Sequence, residues 1–284
     1  MPTQVEKAEL FRTYHAQPGA FLIPNPWDAG SARLLSLLGF KALATTSAGF
    51  AFSRGLPDYG IERDVLLGHL RELVAATDLP VSADLENGFG DDPETVADTI
   101  RRAAATGIVG GSIEDATQRE DSPIYPLAQA AERVRAAAEA ARGLPFPFTL
   151  TARAENYLHG RPDLSDTIRR LQAFQEAGAD VLFAPGLKSK EDIAAVVSSV
   201  DRPVNVVMGL VGVELCVDDL AAMGVKRISV GGSLARAALG AFLRAAPELS
   251  EHGTFNYAGE AIGSADINRL FQRAAALADG RHPG

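Results

Sequence analysis

One cysteine in 284 residues, Cys216, excludes an internal disulfide. Positive charge is also scarce. With 27 Lys and Arg against 36 Asp and Glu, the net charge is -9 and the pI is near 5.1, and the basic residues are scattered along helical stretches. That balance argues against nucleic acid or an anionic membrane surface as partner and favours a small molecule. No apolar run is long enough to span a bilayer and no signal peptide is evident, so the chain reads as cytoplasmic. The histidines His15, His69, His159, His252 and His282 show no metal-ligand spacing and are expected on the surface, while Cys216 is expected as a small apolar residue in the core.

What the chain has is alternation. Short β-rich runs separate longer Ala/Leu/Arg stretches of helical period, the pattern of parallel strands joined by crossover helices. Strands are expected at Ala20–Pro24, Ala42–Thr46, Pro80–Leu85, Val109–Glu114, Phe148–Arg153, Val181–Ala184, Pro203–Met208 and Lys226–Gly231. Helices are expected at Ala29–Leu38, Ile61–Ala76, Pro93–Thr106, Leu127–Ala141, Asp163–Ala177, Ser189–Ser198, Val213–Met223 and Ser233–Ala246. Eight such units make a (β/α)8 TIM barrel. The reading is a single barrel domain over 1–284, with the barrel at about 20–246, a helix before it around Val5–His15, and a helical tail 247–284. The tail's Ala265–Leu277 run carries Ile267, Leu270, Phe271 and Leu277, which need a surface to cover, and a neighbouring subunit is one candidate.

In such barrels chemistry sits at the C-terminal ends of the strands. The third strand ends in Asp84 and Glu86, which share a face of an extended chain and repel strongly in a low-dielectric cleft unless a proton or cation intervenes. Hard carboxylate oxygens suit Mg²⁺, and the alternative is a pair of solvated loop residues. Other strand ends bring Asn25, Trp27 and Asp28; Thr46, Ser47, Ala48 and the loop to Asp58; Glu114 and Asp115; Arg153 and Glu155; Asn205 and Met208. Four carboxylates (Asp58, Asp84, Glu86, Glu114) and one arginine on a single rim point to a metal-plus-anion site.

Six segments in register are similar to the isocitrate lyase/phosphoenolpyruvate mutase superfamily: Asn25-x-Trp27-Asp28-Ala29-x-Ser31-Ala32, Thr46-Ser47-Ala48-Gly49, Gly55-Leu56-Pro57-Asp58-x-Gly60, Asp84-x-Glu86-x-Gly88-x-Gly90, Ile113-Glu114-Asp115 and Ala152-Arg153. The resemblance spans about residues 20–245. It implies a barrel enzyme with Mg²⁺, Mn²⁺ being an alternative, held largely through waters by Asp84, Glu86 and Glu114. It further implies a 2-oxo or 2-hydroxy carboxylate on the metal, and a homo-oligomer, dimer or tetramer, in which the extra C-terminal helix is exchanged between subunits.

Roles follow from the enolate of pyruvate to which such reactions relate, whose oxyanion needs positive charge placed in advance. Backbone N–H groups at Ser47 and Ala48 are expected to hold the substrate carboxylate, Arg153 to complete the clamp, and Asp58 to orient the reacting group or its water. Asn205 is grouped with the substrate-binding residues. Trp27 either walls the pocket or packs in the core, and Arg153 is alternatively a structural partner of Glu155 or Glu114.

One departure is informative. The loop Asp115–Tyr125 carries no cysteine, whereas isocitrate and methylisocitrate lyases share a Lys-x-Cys-Gly-His type segment there, so neither of those activities is expected. The loop also lacks the Lys and Asn expected of a phosphoenolpyruvate mutase, although Thr117, Gln118 and Arg119 offer polar contacts. The ranking is carbon–carbon cleavage beside a 2-oxo acid, such as oxaloacetate-type decarboxylation; then retro-aldol cleavage, with Tyr157, Glu155 or Tyr125 as base; then P–C bond chemistry. A non-catalytic binder of 2-oxo acids is a rival from another class. So is a phosphate site at Gly231-Gly232-Ser233, against the plainer reading of a tight turn.

Overall fold

The computed structural model describes residues 2–278; His282 and the end of the tail lie outside them. Eight parallel strands alternate with helices: β1 (Phe21–Ile23), β2 (Leu43–Ala44), β3 (Val81–Asp84), β4 (Gly110–Glu114), β5 (Thr149–Arg153), β6 (Val181–Phe183), β7 (Val204–Val207) and β8 (Arg227–Ser229). Their order around the sheet is β1-β8-β7-β6-β5-β4-β3-β2, so the chain forms the TIM barrel expected from its alternation. The seam between β1 and β2 is closed by a bond from the Ala44 N–H to the Pro24 carbonyl (3.1 Å). Asn25 sews it further, donating through Nδ2 to the Thr45 carbonyl (2.9 Å) and accepting at Oδ1 from the Val230 and Gly231 N–H groups (2.9 Å each).

The helices are α1 (Gln4–Ala16), α2 (Ala29–Leu37), α3 (Ser47–Ser53), α4 (Arg63–Ala76), α5 (Pro93–Ala104), α6 (Leu127–Arg142), α7 (Leu164–Ala177), α8 (Lys190–Ser198), α9 (Val217–Ala222), α10 (Ser233–Pro247) and α11 (Ser264–Ala278). Helix α3 falls in a stretch expected to be loop; Thr46 starts it by accepting the Gly49 N–H on its hydroxyl (3.2 Å). The main core lies between the sheet and the surrounding helices, with Leu70, Ile100, Leu150, Phe174 and Ile193 fully buried.

Helix α1 closes the N-terminal end of the barrel. Its Phe11 packs with Phe21 and Val109, and Gln4 reaches the Ala104 and Ile108 carbonyls (2.8 Å each). Gly110 makes room for this contact, since a Cβ there would come within 2.8 Å of the Thr149 carbonyl and 3.1 Å of the Phe11 ring. The opposite end stays open. Helix α11 packs on α2 of the same barrel, with the Phe271 ring close against Gly30. That contact covers part of the helix's apolar face, leaving Ile267, Leu270 and Phe271 half-buried and Leu277 exposed, and exchange between subunits is not shown.

Three residue expectations are corrected, the first being His15, which is half-buried with its ring edge-on to Phe11 and Phe21 and its Nε2 out of reach of any partner, because α1 packs this face on the barrel's end. Cys216 is exposed at the N-terminus of α9, its thiol 3.2 Å from Asp219 Oδ2, because the expected helix Val213–Met223 begins only at Val217. His69 is buried and stacks on Phe50 with ring centroids 3.6 Å apart, the amphipathic α4 having turned it inward. Among the described residues no helix is long and apolar enough to cross a membrane.

Candidate active site

The interior of the barrel is lined by small and polar side chains, Ala44, Ser82, Ser112, Asn205 and Ser229, which leave a cavity of about 300 Å³ opening at the strands' C-terminal ends. Asp84, Glu114 and Arg153 stand at its upper edge because they are the last residues of β3, β4 and β5. Glu114 and Arg153 are register partners on neighbouring strands, and that adjacency makes their ion pair a consequence of the sheet.

Arg153 is the hub. Its Nη1 lies 3.0 Å from Asp84 Oδ1 and 3.2 Å from Glu114 Oε2, and its Nη2 lies 2.9 Å from Glu155 Oε1. Burial works against its charge, but Glu155, Glu114 and Asp84 outweigh burial and hold its pKa well above the usual value. The carboxyls pay in the opposite direction. Burial, only partly countered by Arg153, raises Glu114 well above the ordinary carboxylate range and takes Glu155 up to about 7. Glu155 Oε2 is buried without a hydrogen-bond partner. One guanidinium among two buried carboxylates and the half-buried Asp84 leaves an excess of negative charge that a cation or protons must balance.

Asp84 is further fixed by Ser47, whose N–H (3.1 Å) and hydroxyl (2.9 Å) both donate to Oδ2. The Ser47 amide, expected to hold a substrate carboxylate, is therefore engaged by a protein carboxylate in this state. Ala48 lines the cavity beside it, and Asn205 lies deeper, its Nδ2 donating to Ser229 (3.1 Å) and its Oδ1 accepting from Arg227 Nε (2.8 Å). Asp58 reaches the cavity from an exposed loop; burial of its carboxyl and the nearby Asp84 raise its pKa. Trp27 does not line the cavity and is half-buried, its Cβ close to Gly49.

Glu86 behaves differently from Asp84. Its carboxyl faces a neighbouring recess of about 480 Å³, where Gln118 Nε2 donates to it at 3.2 Å. Its backbone is left-handed at φ 49°, and burial followed by Asp84 and Asp58 pushes its pKa up to about 8. Between the two spaces stands Tyr59, absent from the sequence expectations, whose hydroxyl donates to Glu114 Oε1 at 2.8 Å. Its phenol pKa is raised by burial and then by Glu114, so it stays a neutral donor. Tyr59 also has a positive φ of 61°, a conformation that periodicity does not foretell for an aromatic residue.

Among the described residues no three His, Cys, Asp or Glu side chains are gathered as direct metal ligands. Asp84 and Glu114 do present oxygens at one cavity edge, with charge to spare. A small hard cation that keeps most of its own waters fits that donor set, which is how Mg²⁺ is usually bound.

Of the candidate bases, Tyr125 is turned away, hydrogen-bonding Asp91, and Tyr157 does not line the cavity; only Glu155 adjoins it, through Arg153. Asp115 serves the framework, accepting the Glu155 N–H (2.8 Å) and Arg170 Nη1 (3.0 Å). Gly231 and Gly232 face the same cavity, but the Gly231 N–H is given to Asn25, which favours the tight-turn reading of that loop over a phosphate cradle.

The model of the phosphoenolpyruvate phosphomutase family matches residues 11–250. A crystal structure from Burkholderia cenocepacia J2315, provisionally described as a lyase/mutase, superposes with a TM-score of 0.93 at 65% identity, covering 95% of this chain and 97% of that one. An uncharacterized Mycobacterium tuberculosis protein is 32% identical over 243 residues, 85% of this chain and 89% of its own length. An oxaloacetate acetylhydrolase in complex with the product oxalate is 26% identical, with a TM-score of 0.84 over 99% of each chain. The chain therefore belongs to the phosphoenolpyruvate phosphomutase family, in the isocitrate lyase/phosphoenolpyruvate mutase superfamily of enzymes.

Proposed function

We propose that the protein is a Mg²⁺-dependent lyase that cleaves a carbon–carbon bond in a small 2-oxo or 2-hydroxy dicarboxylate, with an oxaloacetate-like acid as the favoured substrate. The observation that carries this reading is the cluster of Asp84, Glu114 and Glu155 around Arg153 at the edge of a cavity sized for a small acid. Asp84 and Glu114 would hold the ion through its waters, and Glu86, in the adjoining recess, would add only the pull of a nearby negative charge. The ion would supply positive charge where an enolate oxygen develops.

The chain's own groups do the rest. Arg153 offers a charge-assisted donor to the substrate carboxylate. The Ser47 N–H is released for the same carboxylate when Asp84 turns to the cation, and Ala48 and Asn205 complete the wall. Asp58, with its raised pKa, is suited to orient water or return a proton to carbon. No thiol lies on the loop after β4, which favours reactions in which water protonates the product. The similarity to an oxaloacetate acetylhydrolase is in keeping with a C4 acid.

Oligomerisation is part of the proposal. Helix α10 exposes Leu239, Phe242 (64%) and Leu243 (65%), with Phe255 beyond it, an apolar face that a second copy of the chain would cover.

The test is a turnover panel with Mg²⁺ on oxaloacetate, malate and isocitrate homologues, and phosphonopyruvate, followed for pyruvate, oxalate and phosphate. Product from the dicarboxylates alone is the expected result. Phosphate or phosphoenolpyruvate from phosphonopyruvate would move the assignment to P–C chemistry, and tight binding without any product would make the protein a 2-oxo acid sensor.

A further inference from the structure

The similarity to the superfamily leaves one position of the Gly55-Leu56-Pro57-Asp58-x-Gly60 segment open, and that position is Tyr59. The cavity of about 300 Å³ and the recess of about 480 Å³ share a single lining residue, and it is again Tyr59. Asp58, Asp84 and Glu114 line the first space, and Glu86, Ile61, Thr95 and Gln118 line the second. The hydroxyl bond to Glu114 (2.8 Å) ties the ring across this gap, and the left-handed backbone at φ 61° aims it there at a cost an aromatic residue normally avoids.

We infer that Tyr59 is the specificity-determining wall of the site: its ring closes the active cavity toward the Glu86 recess and restricts the substrate to a small, unbranched acid. The inference rests on the proposed 2-oxo acid reading and deepens it by naming the substrate's size class. Without the ring the two spaces join, and the recess, lined by Ile61, Phe89 and the Thr95 side chain as well as polar groups, receives an apolar substituent carried beyond the 2-oxo carboxylate. The hydroxyl has a separate task, holding Glu114.

The experiment compares binding of pyruvate and phenylpyruvate, each with Mg²⁺, by calorimetry on full-length wild type, Tyr59→Phe, Tyr59→Ala and Tyr59→Gly. Glycine suits the positive φ, so that variant keeps the loop in shape even if alanine does not. Removing the ring is expected to shift the ratio of the two Kd values toward phenylpyruvate by about tenfold or more, while Tyr59→Phe leaves it within about twofold. An unchanged ratio in folded Tyr59→Gly, or an equal shift in Tyr59→Phe, overturns the wall. Wild type that binds neither acid overturns the 2-oxo acid reading and this inference with it, whereas pyruvate binding with an unmoved ratio overturns the inference alone.

Discussion

Two arginines enter the barrel interior and meet opposite surroundings. Arg153, at the end of β5, has Asp84, Glu114 and Glu155 within 3.2 Å, and its pKa is raised. Arg227, at the start of β8, has no carboxylate; it donates to Asn205 (2.8 Å) and Thr151 (2.8 Å), its Nη1 has no partner, and burial alone brings its pKa down to about 9. The upper layer thus concentrates charge and opens to solvent, while the lower layer spends its one charge as a staple between β5, β7 and β8. A charge cluster at a cavity edge is a candidate for chemistry, whereas Arg227, although it lines the same cavity, is tied by its hydrogen bonds to neutral groups of the sheet.

The contrast is broken most directly at Arg153. Arg153→Met strands the buried Glu114 and Glu155 and the half-buried Asp84, and a loss of about 3–5 kcal/mol is expected in urea unfolding without metal. Turnover should fall by about 10³-fold or more if the guanidinium clamps the developing charge. A variant that is stable and active would remove the cluster from the site.

A smaller effect is expected from pH. Glu86, Glu155 and Asp115 have pKa values pushed up to about 8, 7 and 6, so their acid forms are favoured in the fold. Groups raised in this way stabilise the fold fully below the usual carboxylate range, and that contribution is lost as pH climbs through the raised values. In EDTA the melting temperature should therefore fall between about pH 5 and pH 8. Mg²⁺ should recover most of the loss at the alkaline end, because the cation takes over from the protons. A flat profile in EDTA, or no gain with Mg²⁺, would argue that these carboxyls are already compensated.

The least change is expected at the lower layer. Arg227→Met removes two donors but also an unpaired buried charge, and these offset one another to a net of about 1 kcal/mol in either direction. If its cost in denaturant matches that of Arg153→Met, the two layers are energetically alike and the comparison fails.

Much of this site was legible one strand at a time. Asp84, Glu114 and Arg153 end three expected strands, and parallel packing must carry such ends to one rim. Glu86 shows the limit. Two positions after Asp84, it would share its face only if the strand continued, but β3 stops at Asp84 and the chain turns left-handed, so the carboxyl enters another recess. Tyr59 and Arg227 carry no signal in the sequence, since one sits in a turn of unusual φ and the other looks like any residue at the foot of a strand. For Trp27 the sequence allows either a pocket wall or packing, and it is the contact with Gly49 that the fold provides.

By itself the sequence determined the architecture, because periodicity and apolar content decide where strands and helices form, and strand direction then decides which residues share an end. Only the tertiary structure decided which acids face one cavity, which arginine they surround, and that α11 lies on its own barrel's α2. Those outcomes depend on backbone turns and on contacts between residues far apart in the chain, for which local pattern carries no signal.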